Sequence, residues 1–420
     1  MNRNRVKLAD IAELTVGYVG NMAKQYTDEG VKFLRSLNIK PFRIIEDDLK
    51  YISREFSGTL SKSTLHENDL IIVRTGIPGT CCVVPKEYEN CNCADVVLVR
   101  PNLQMVNPYY LAAYINVWGK KQVENNKVGA IQKHFNVRSA QEMVIDLPDL
   151  KEQNRVAKIL CDLNNKIAQN EKINDYLEEM AKTIYDYWFV QFDFLTEDGK
   201  PYKSSGGKMV NTNGRIIPEG WKVLKVKDII SNICTGLNPR DNFTLGSGNI
   251  KYVTVKNLTT KGTLDFTNCD TIDEAARTII HNRSDIQTGD ILFASIAPLG
   301  RCYLIQSTPT DWDINESVFS VRPNFSVITS AYLYLYFMSD TFIKCATSSS
   351  TGSIFKGIRI NTLLDTELCV PPLFVIKQFE NKLASTLPLK AKNDEEIRLL
   401  INLRDLLLPM LMNGQATIDD

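Results

Sequence analysis

Asp69-Leu-Ile-Ile-Val-Arg-Thr75, followed by Gly79 and Cys81-Cys-Val-Val84, recurs as Asp290-Ile-Leu-Phe-Ala-Ser-Ile296, followed by Gly300 and Cys302-Tyr-Leu-Ile305. The internal spacing is the same in both copies. Working outward, Leu8-Ala-Asp-Ile11 matches Val226-Lys-Asp-Ile229, and Val99-Arg-Pro-Asn102 matches Val321-Arg-Pro-Asn324. Tyr110-Leu111 with Tyr114 recurs as Tyr332-Leu333 with Tyr336. Gly129, Ile131 and Lys133 pair with Gly352, Ile354 and Lys356, and Leu147-Pro-Asp-Leu150 with Val370-Pro-Pro-Leu373. A period of about 220 residues is far too long for a solenoid and suits a duplicated domain.

Within each copy the short apolar runs are rich in branched and aromatic residues and bounded by turn formers, which predicts strands. They cover 70–73, 82–84, 96–99, 252–255, 291–294 and 318–321. One short helix is expected over 109–117 and its counterpart over 331–338. Each copy therefore reads as a compact β-rich domain with a few helices, an α+β chain overall. Two stretches break the match: 24–38 has no clear equivalent in 238–249, and 50–66 differs from 259–287. Readers of two different targets would diverge in this way, and so would drift after duplication.

Each copy ends in a long helical segment. The first opens at Asp149 with Glu152 three residues on, the spacing of a capping box. Its stripe runs Val156, Leu160, Leu163, Ile167, Asn170, Asn174, Leu177, Ala181, Ile184, Trp188, in alternating steps of four and three. That is a heptad seam, and residues 151–190 would extend roughly 60 Å. The second stripe runs Phe379, Leu383, Thr386, Lys390, Asn393, Ile397, Leu400, Arg404, Leu407, Leu411. Pro388 is expected to kink it and Asn413-Gly414 to stop it. Two seams in one chain invite an antiparallel coiled coil. Matching their midpoints sets Asn174 near Asn393, where the two either fix register as a buried pair or face solvent where the helices splay. Residues 196–220 read as a linker or a hairpin.

Composition narrows the function. Lys and Arg number 49 against 49 Asp and Glu, so any positive surface for nucleic acid must be local or partly a partner's. No apolar run is long enough to span a bilayer, and residues 1–10 are polar, so a cytoplasmic location is expected. The ten cysteines include adjacent Cys81 and Cys82 and the near neighbours Cys91 and Cys93, but no second Cys or His pair stands at zinc-ligand spacing. They read as reduced thiols, with no metal site.

Catalytic motifs are also missing. Asn107-Pro-Tyr-Tyr110 has the outline of an adenine-methyltransferase motif, but its second proline is absent and no glycine-rich cofactor loop follows an early strand. Its repeat copy, Ser330-Ala-Tyr-Leu333, has lost Asn-Pro altogether, which favours a helix start. Gly206-Gly-Lys208 is followed by Met209 rather than the Ser or Thr of a phosphate loop. His66, His134 and His281 are far apart in sequence, a poor basis for acid–base chemistry. No catalytic residue and no bound cofactor are expected on this chain.

Five further segments carry a family likeness: Leu147-Pro-Asp-Leu-Lys-Glu-Gln153, Trp188-Phe-Val-Gln-Phe-Asp193, Tyr202-Lys-Ser-Ser-Gly-Gly207, Ile217-Pro-Glu-Gly-Trp221 and Leu403-Arg-Asp-Leu-Leu-Leu-Pro-Met-Leu-Met-Asn-Gly-Gln415. In this order, around a duplicated domain, the chain resembles the specificity subunit of type I restriction–modification systems over essentially its whole length. The resemblance implies two target-recognition domains, at 1–148 and 221–371, each reading half of a split, asymmetric DNA site. Conserved helices at 149–195 and 372–415, with a linker at 196–220, would space the domains and dock two modification subunits. S-adenosylmethionine, ATP and Mg would be bound by the modification and restriction subunits.

DNA contacts are expected from basic and polar residues on loops and strand ends. Lys120, Lys121, Lys127, Lys133, His134 and Arg138 form one basic stretch, and Lys344, Lys356 and Arg359 another, suited to phosphates. Arg43, Arg74, Lys256 and Asn257 are candidates for base edges. Half-sites about one turn apart, roughly 34–36 Å, are within the span of such helices, so deleting a heptad in 165–172 should change the tolerated spacer. A stand-alone methyltransferase or nuclease, and a scaffold that binds no DNA, are the competing readings.

Overall fold

In a computed structural model, residues 4–119, 122, 135–267, 269–348 and 357–415 are described. The chain forms two compact units, residues 1–169 with 398–420, and residues 170–397. Both long helices therefore contribute one end to each unit, instead of standing apart as separate domains.

The first unit is built on a four-stranded antiparallel sheet in which Val96–Pro101 lies between Ala12–Val16 and Leu70–Val73, and Cys81–Val83 forms the far edge. Alternate side chains leave on opposite faces of a strand, and both faces are covered here. Leu70, Ile72, Val97 and Val99 pack with Tyr110 and Leu111 of the helix Pro108–Tyr114. Ile71, Val73, Val96 and Leu98 pack with Leu34 and Cys93 of a second sheet. A strand buried on both sides has no polar face, which is why Leu-Ile-Ile-Val reads as an unbroken apolar run. The loop after this strand turns at Gly79 (φ 86°), a left-handed conformation that glycine adopts without strain.

The second unit repeats this plan. Val318–Pro323 lies between Ile230–Thr235 and Ile291–Ala294, with Cys302–Leu304 at the edge. Gly300 (φ 87°) makes the matching turn. Ile291, Phe293, Phe319 and Val321 face the helix Ser330–Met338, and Leu292, Ala294 and Val318 face the other way. Phe293 is fully buried, and such a ring contributes about 2–3 kcal/mol.

Hydrogen bonds repeat with the strands. Lys7 N donates to Asp10 Oδ2 and Lys225 N to Asp228 Oδ2, both at 3.0 Å. Tyr110 Oη donates to the Asp146 carbonyl at 3.0 Å, and Tyr332 Oη to that of Cys369 at 2.7 Å. These bonds tie each helix to the closing strand, Val144–Leu147 or Glu367–Val370, which pairs antiparallel with Asn4–Lys7 or Lys222–Lys225.

The duplication also reaches into a stretch that looked unmatched. Val31–Leu34 and the turn Ser36–Asn38 correspond to Ile250–Val253 and Val255–Asn257. Both strands lie parallel to a neighbour, Asn92–Cys93 or Trp312–Ile314. Divergence sets in C-terminal to these turns, with a five-residue helix, Arg54–Gly58, in one unit and the eleven-residue Glu274–Ser284 in the other.

Two expectations are corrected and one pair of alternatives is resolved. Residues 372–415 are two helices, Leu373–Lys382 and Thr386–Asn413, separated by a turn. Pro388 produces no kink, because it sits in the first turn of Thr386–Asn413, where backbone N–H groups lack intrahelical partners. Of the two readings of 196–220, the hairpin is the one formed. Met209–Thr212 pairs with Arg215–Pro218 around Asn213-Gly214. Ahead of it, Phe194 stacks on Tyr202 with centroids 4.6 Å apart, and Asp193 accepts from Ser204 N and Oγ at 2.7 and 2.6 Å.

Candidate nucleic-acid interface

The central helix, Leu150–Tyr185, begins where Glu152 N donates to Asp149 Oδ1 at 2.9 Å. Gln153, buried, donates to the carbonyls of Pro148 (2.9 Å) and Met105 (3.3 Å), and its Oε1 accepts from Asn107 N (2.8 Å). Asn107 in turn caps the helix Pro108–Tyr114 through Tyr109 N and Tyr110 N. The Asn-Pro-Tyr-Tyr stretch is thus a helix start tied to the central helix.

The two seams face each other as expected. On the central helix Val156, Leu160, Ile167, Asn170, Asn174, Ala181 and Trp188 are buried, and Leu163, Leu177 and Ile184 half-buried. On the C-terminal side Phe379, Leu383, Thr386, Lys390, Asn393 and Leu411 are buried, and Ile397, Leu400, Arg404 and Leu407 half-buried. In the first unit Arg404 donates to Asn164 Oδ1 at 3.1 Å, while Val156 and Leu160 share a cluster with Leu408 and Leu411. In the second, Asn393 Nδ2 donates to Asn174 Oδ1 at 3.0 Å. Numbers climb on one helix as they fall on the other, so the pairing is antiparallel.

Asn174 is the centre of a buried polar group. Its Nδ2 donates to Asp394 Oδ1 at 2.7 Å, and Lys390 Nζ reaches Asp394 Oδ2 and the Gly262 carbonyl, both at 3.3 Å. Burial pushes the Asp394 carboxyl up, against the opposing pull of Lys390 and Asn174. A one-residue slip would part Asn174 from Asn393 and Asp394, while the Lys390–Asp394 pair within one helix would persist, so the amide contacts select one register at some cost in stability.

Among the candidates for DNA contact, Arg43, Arg138, Lys256, Lys344 and Arg359 are exposed. Lys256 Nζ stands 3.7 Å from Asp270. Arg74 is half-buried, and its Nε donates to the Phe135 carbonyl at 3.2 Å, so it braces the loop there. Asn257 is buried and is withdrawn as a base reader: its Oδ1 accepts from Thr254 N and its Nδ2 donates to the Asp265 carbonyl, both at 2.9 Å. Asn38 clamps the corresponding loop of the first unit. Lys120, Lys121, Lys127, Lys133, His134 and Lys356 lie outside the described residues.

Arg359 opens onto a cleft of about 440 Å³ in the second unit, lined also by Thr235, Arg283, Glu316, Phe319 and Asn361. Arg283 and Arg359 are exposed and have no ion pair among the described residues. Sequence reading missed Arg283, Glu316 and Asn361. The available signal was that Arg283 falls within 259–287, where the repeat breaks down.

All ten cysteines are free thiols. Burial raises the Cys82, Cys93 and Cys302 thiols, with Cys93 pushed up to about 12. Among the described residues there is no group of three or more His, Cys, Asp or Glu placed to hold a metal ion. No described helix is long and apolar enough to cross a membrane.

Two copies of one domain, each packed with segments of both long helices, define a duplicated recognition module. The model of the type I restriction modification DNA specificity domain matches residues 3–179 and again 218–384. The chain therefore belongs to the family of type I restriction–modification specificity subunits. It is 22% identical over 284 residues to the MjaIX specificity subunit of Methanocaldococcus jannaschii, covering 66% of this chain and 62% of that relative, a little under two thirds of its length. It is 21% identical over 372 residues to the HindI specificity subunit of Haemophilus influenzae, covering 76% and 80% of the two. The fold matches that of a type I restriction–modification S subunit from M. genitalium with a TM-score of 0.55 at 11% identity, covering 98% and 96% of the two chains.

Proposed function

We propose that the chain recognises a bipartite, asymmetric DNA sequence, one half through each unit, and directs partner subunits to it. Methylation of adenine by two modification subunits, and cleavage by restriction subunits, would follow from that recognition. S-adenosylmethionine, ATP and Mg would bind those partners, and the setting would be the cytoplasm.

The single observation that carries this reading is one DNA-specificity scaffold present twice with different surfaces mounted on it. A reader of two identical half-sites would need no divergence, and a pure assembly scaffold would need no duplicated recognition domain. Lys344 and Arg138 would neutralise phosphates, contacts that position a protein without reading sequence, and Arg43 would meet base edges. Lys120, Lys121, Lys127, Lys133 and Lys356 belong to the same proposal from sequence alone.

The test is to reconstitute the chain with its modification subunits and S-adenosylmethionine and to map methylated adenines across a genome. A two-part motif with a fixed gap is expected. A single continuous motif, or adenine methylation by the isolated chain, would overturn the proposal.

A further inference from the structure

The cleft beneath Arg359 in the second unit differs from its counterpart in the first in a way that scaffold requirements do not explain. Its floor is the strand pair in which Phe319 lies opposite Thr235; the same pair in the first unit brings Val97 opposite Val16. At its rim, the helix Ile360–Leu364 precedes the closing strand, as Val137–Gln141 does in the first unit.

The residue that starts each of these short helices has a different task in the two units. Asn136 caps its helix, its Oδ1 accepting from Ser139 N at 2.9 Å. Arg359 stands at the same place and makes no side-chain cap bond. A capping side chain stabilises a helix end by roughly 1 kcal/mol, and the second unit has given that up for an exposed guanidinium.

Two other groups are additions to the common plan. Arg283 is in the last turn of Glu274–Ser284, a helix more than twice as long as Arg54–Gly58. Glu316 is in the turn between Trp312–Ile314 and Val318–Pro323, which holds three residues where the turn between Asn92–Cys93 and Val96–Pro101 holds two. Glu316 is exposed and, after burial, is a further reason that the Tyr252 phenol is held above its ordinary value. All three groups converge on one cleft, and the first unit folds without them.

We propose that this cleft is the base-reading site of the second unit, with Arg359 and Arg283 reading guanine edges and Glu316 the amino group of cytosine. The inference rests on the reading that the second unit contacts one DNA half-site. Its chemistry follows from the major groove, where guanine presents two acceptors, O6 and N7, that a guanidinium meets with two parallel donors. Cytosine presents a single N4 donor there, which a carboxylate accepts. Thr235 and Phe319, both buried, form the floor beneath these exposed side chains. Asn136 and Arg138 occupy the corresponding rim in the first unit, so the two half-sites would differ in sequence.

The experiment uses the full complex with its modification subunits and compares adenine methylation maps for wild type, Arg359→Ala, Arg283→Ala and Glu316→Gln. Arg359→Met is added as a variant that keeps the apolar stem. Unchanged thermal midpoints are expected, because these side chains are exposed. In the arginine variants, methylation at sites altered at one G·C pair of one half-site should rise roughly ten- to a hundred-fold relative to the cognate site, with the other half-site unaltered. An unchanged motif in all four variants would overturn the proposal, and so would a uniform loss at every sequence, the signature of phosphate contact. A wild-type complex with no two-part motif would instead bring down the parent reading, and this inference with it.

Discussion

Asn174→Leu is the most informative perturbation of the helix pair. The wild-type amide receives a bond from Asn393 at 3.0 Å and donates to the Asp394 carboxylate at 2.7 Å. A neutral bond is worth about 1 kcal/mol and one to a charged group about 2, so the single variant should lose about 3 kcal/mol. Leucine is close to asparagine in size, which keeps cavity effects small. Asn393→Leu should cost about 1–2 kcal/mol, since it leaves only the Asn174 carbonyl unmatched. Replacing both removes the stranded amide altogether, and apolar replacement of both partners is often nearly neutral. The double variant should therefore cost about 2 kcal/mol, less than Asn174→Leu alone, since Asp394 keeps Lys390 at 3.3 Å. Urea unfolding followed by the fluorescence of Trp188, Trp221 and Trp312, all buried in the second unit, measures each cost. If the double variant loses as much as the two singles together, the amides do not act as a pair and the register argument fails.

Four further outcomes are expected. Asn170 lies on the same seam, 1% exposed, with an Nδ2 that has no partner among the described residues, so Asn170→Leu should stabilise the chain by about 1 kcal/mol in the same assay. Arg322 grips the buried Asp290 through Nε at 2.8 Å and Nη2 at 2.9 Å, whereas Arg100 Nε stands 3.8 Å from Asp69. Arg322→Ala should accordingly cost about 3 kcal/mol and Arg100→Ala clearly less, and equal losses would contradict this. The folded state holds the proton of Asp394 more tightly than the unfolded chain does, so its contribution is present in acid and lost as pH rises from about 4. Asp394→Asn should then gain stability relative to wild type between about pH 3 and pH 7, and a flat difference would count against it. Removing one heptad from 165–172 and the seven residues paired with it, about 10 Å of helix, should shorten the tolerated DNA spacer by roughly three base pairs in methylation maps without altering either half-site.

The strand positions 70–73 and 291–294 and both heptad seams were legible because each follows from local periodicity, and the duplication because matching segments recur in one order about 220 residues apart. Even the Asn174–Asn393 contact came from aligning stripe midpoints, since two regular helices in one register leave little freedom. The candidate site was far less legible. Asn257 has the composition of a base reader and is a buried loop clamp; only its burial distinguishes the two. Arg283, Glu316 and Asn361 come from segments 33 and 45 residues apart, and nothing in their local sequence indicates a shared cleft.

What the residues alone determined is a twice-used β-rich module with helices fit to pair, for hydrophobic spacing dictates secondary structure and which face it buries. What tertiary structure decided is which polar side chains are consumed in holding loops and which are left exposed. That distinction depends on desolvation and on neighbours distant in the chain, and an Asn or Arg carries neither in its own local sequence.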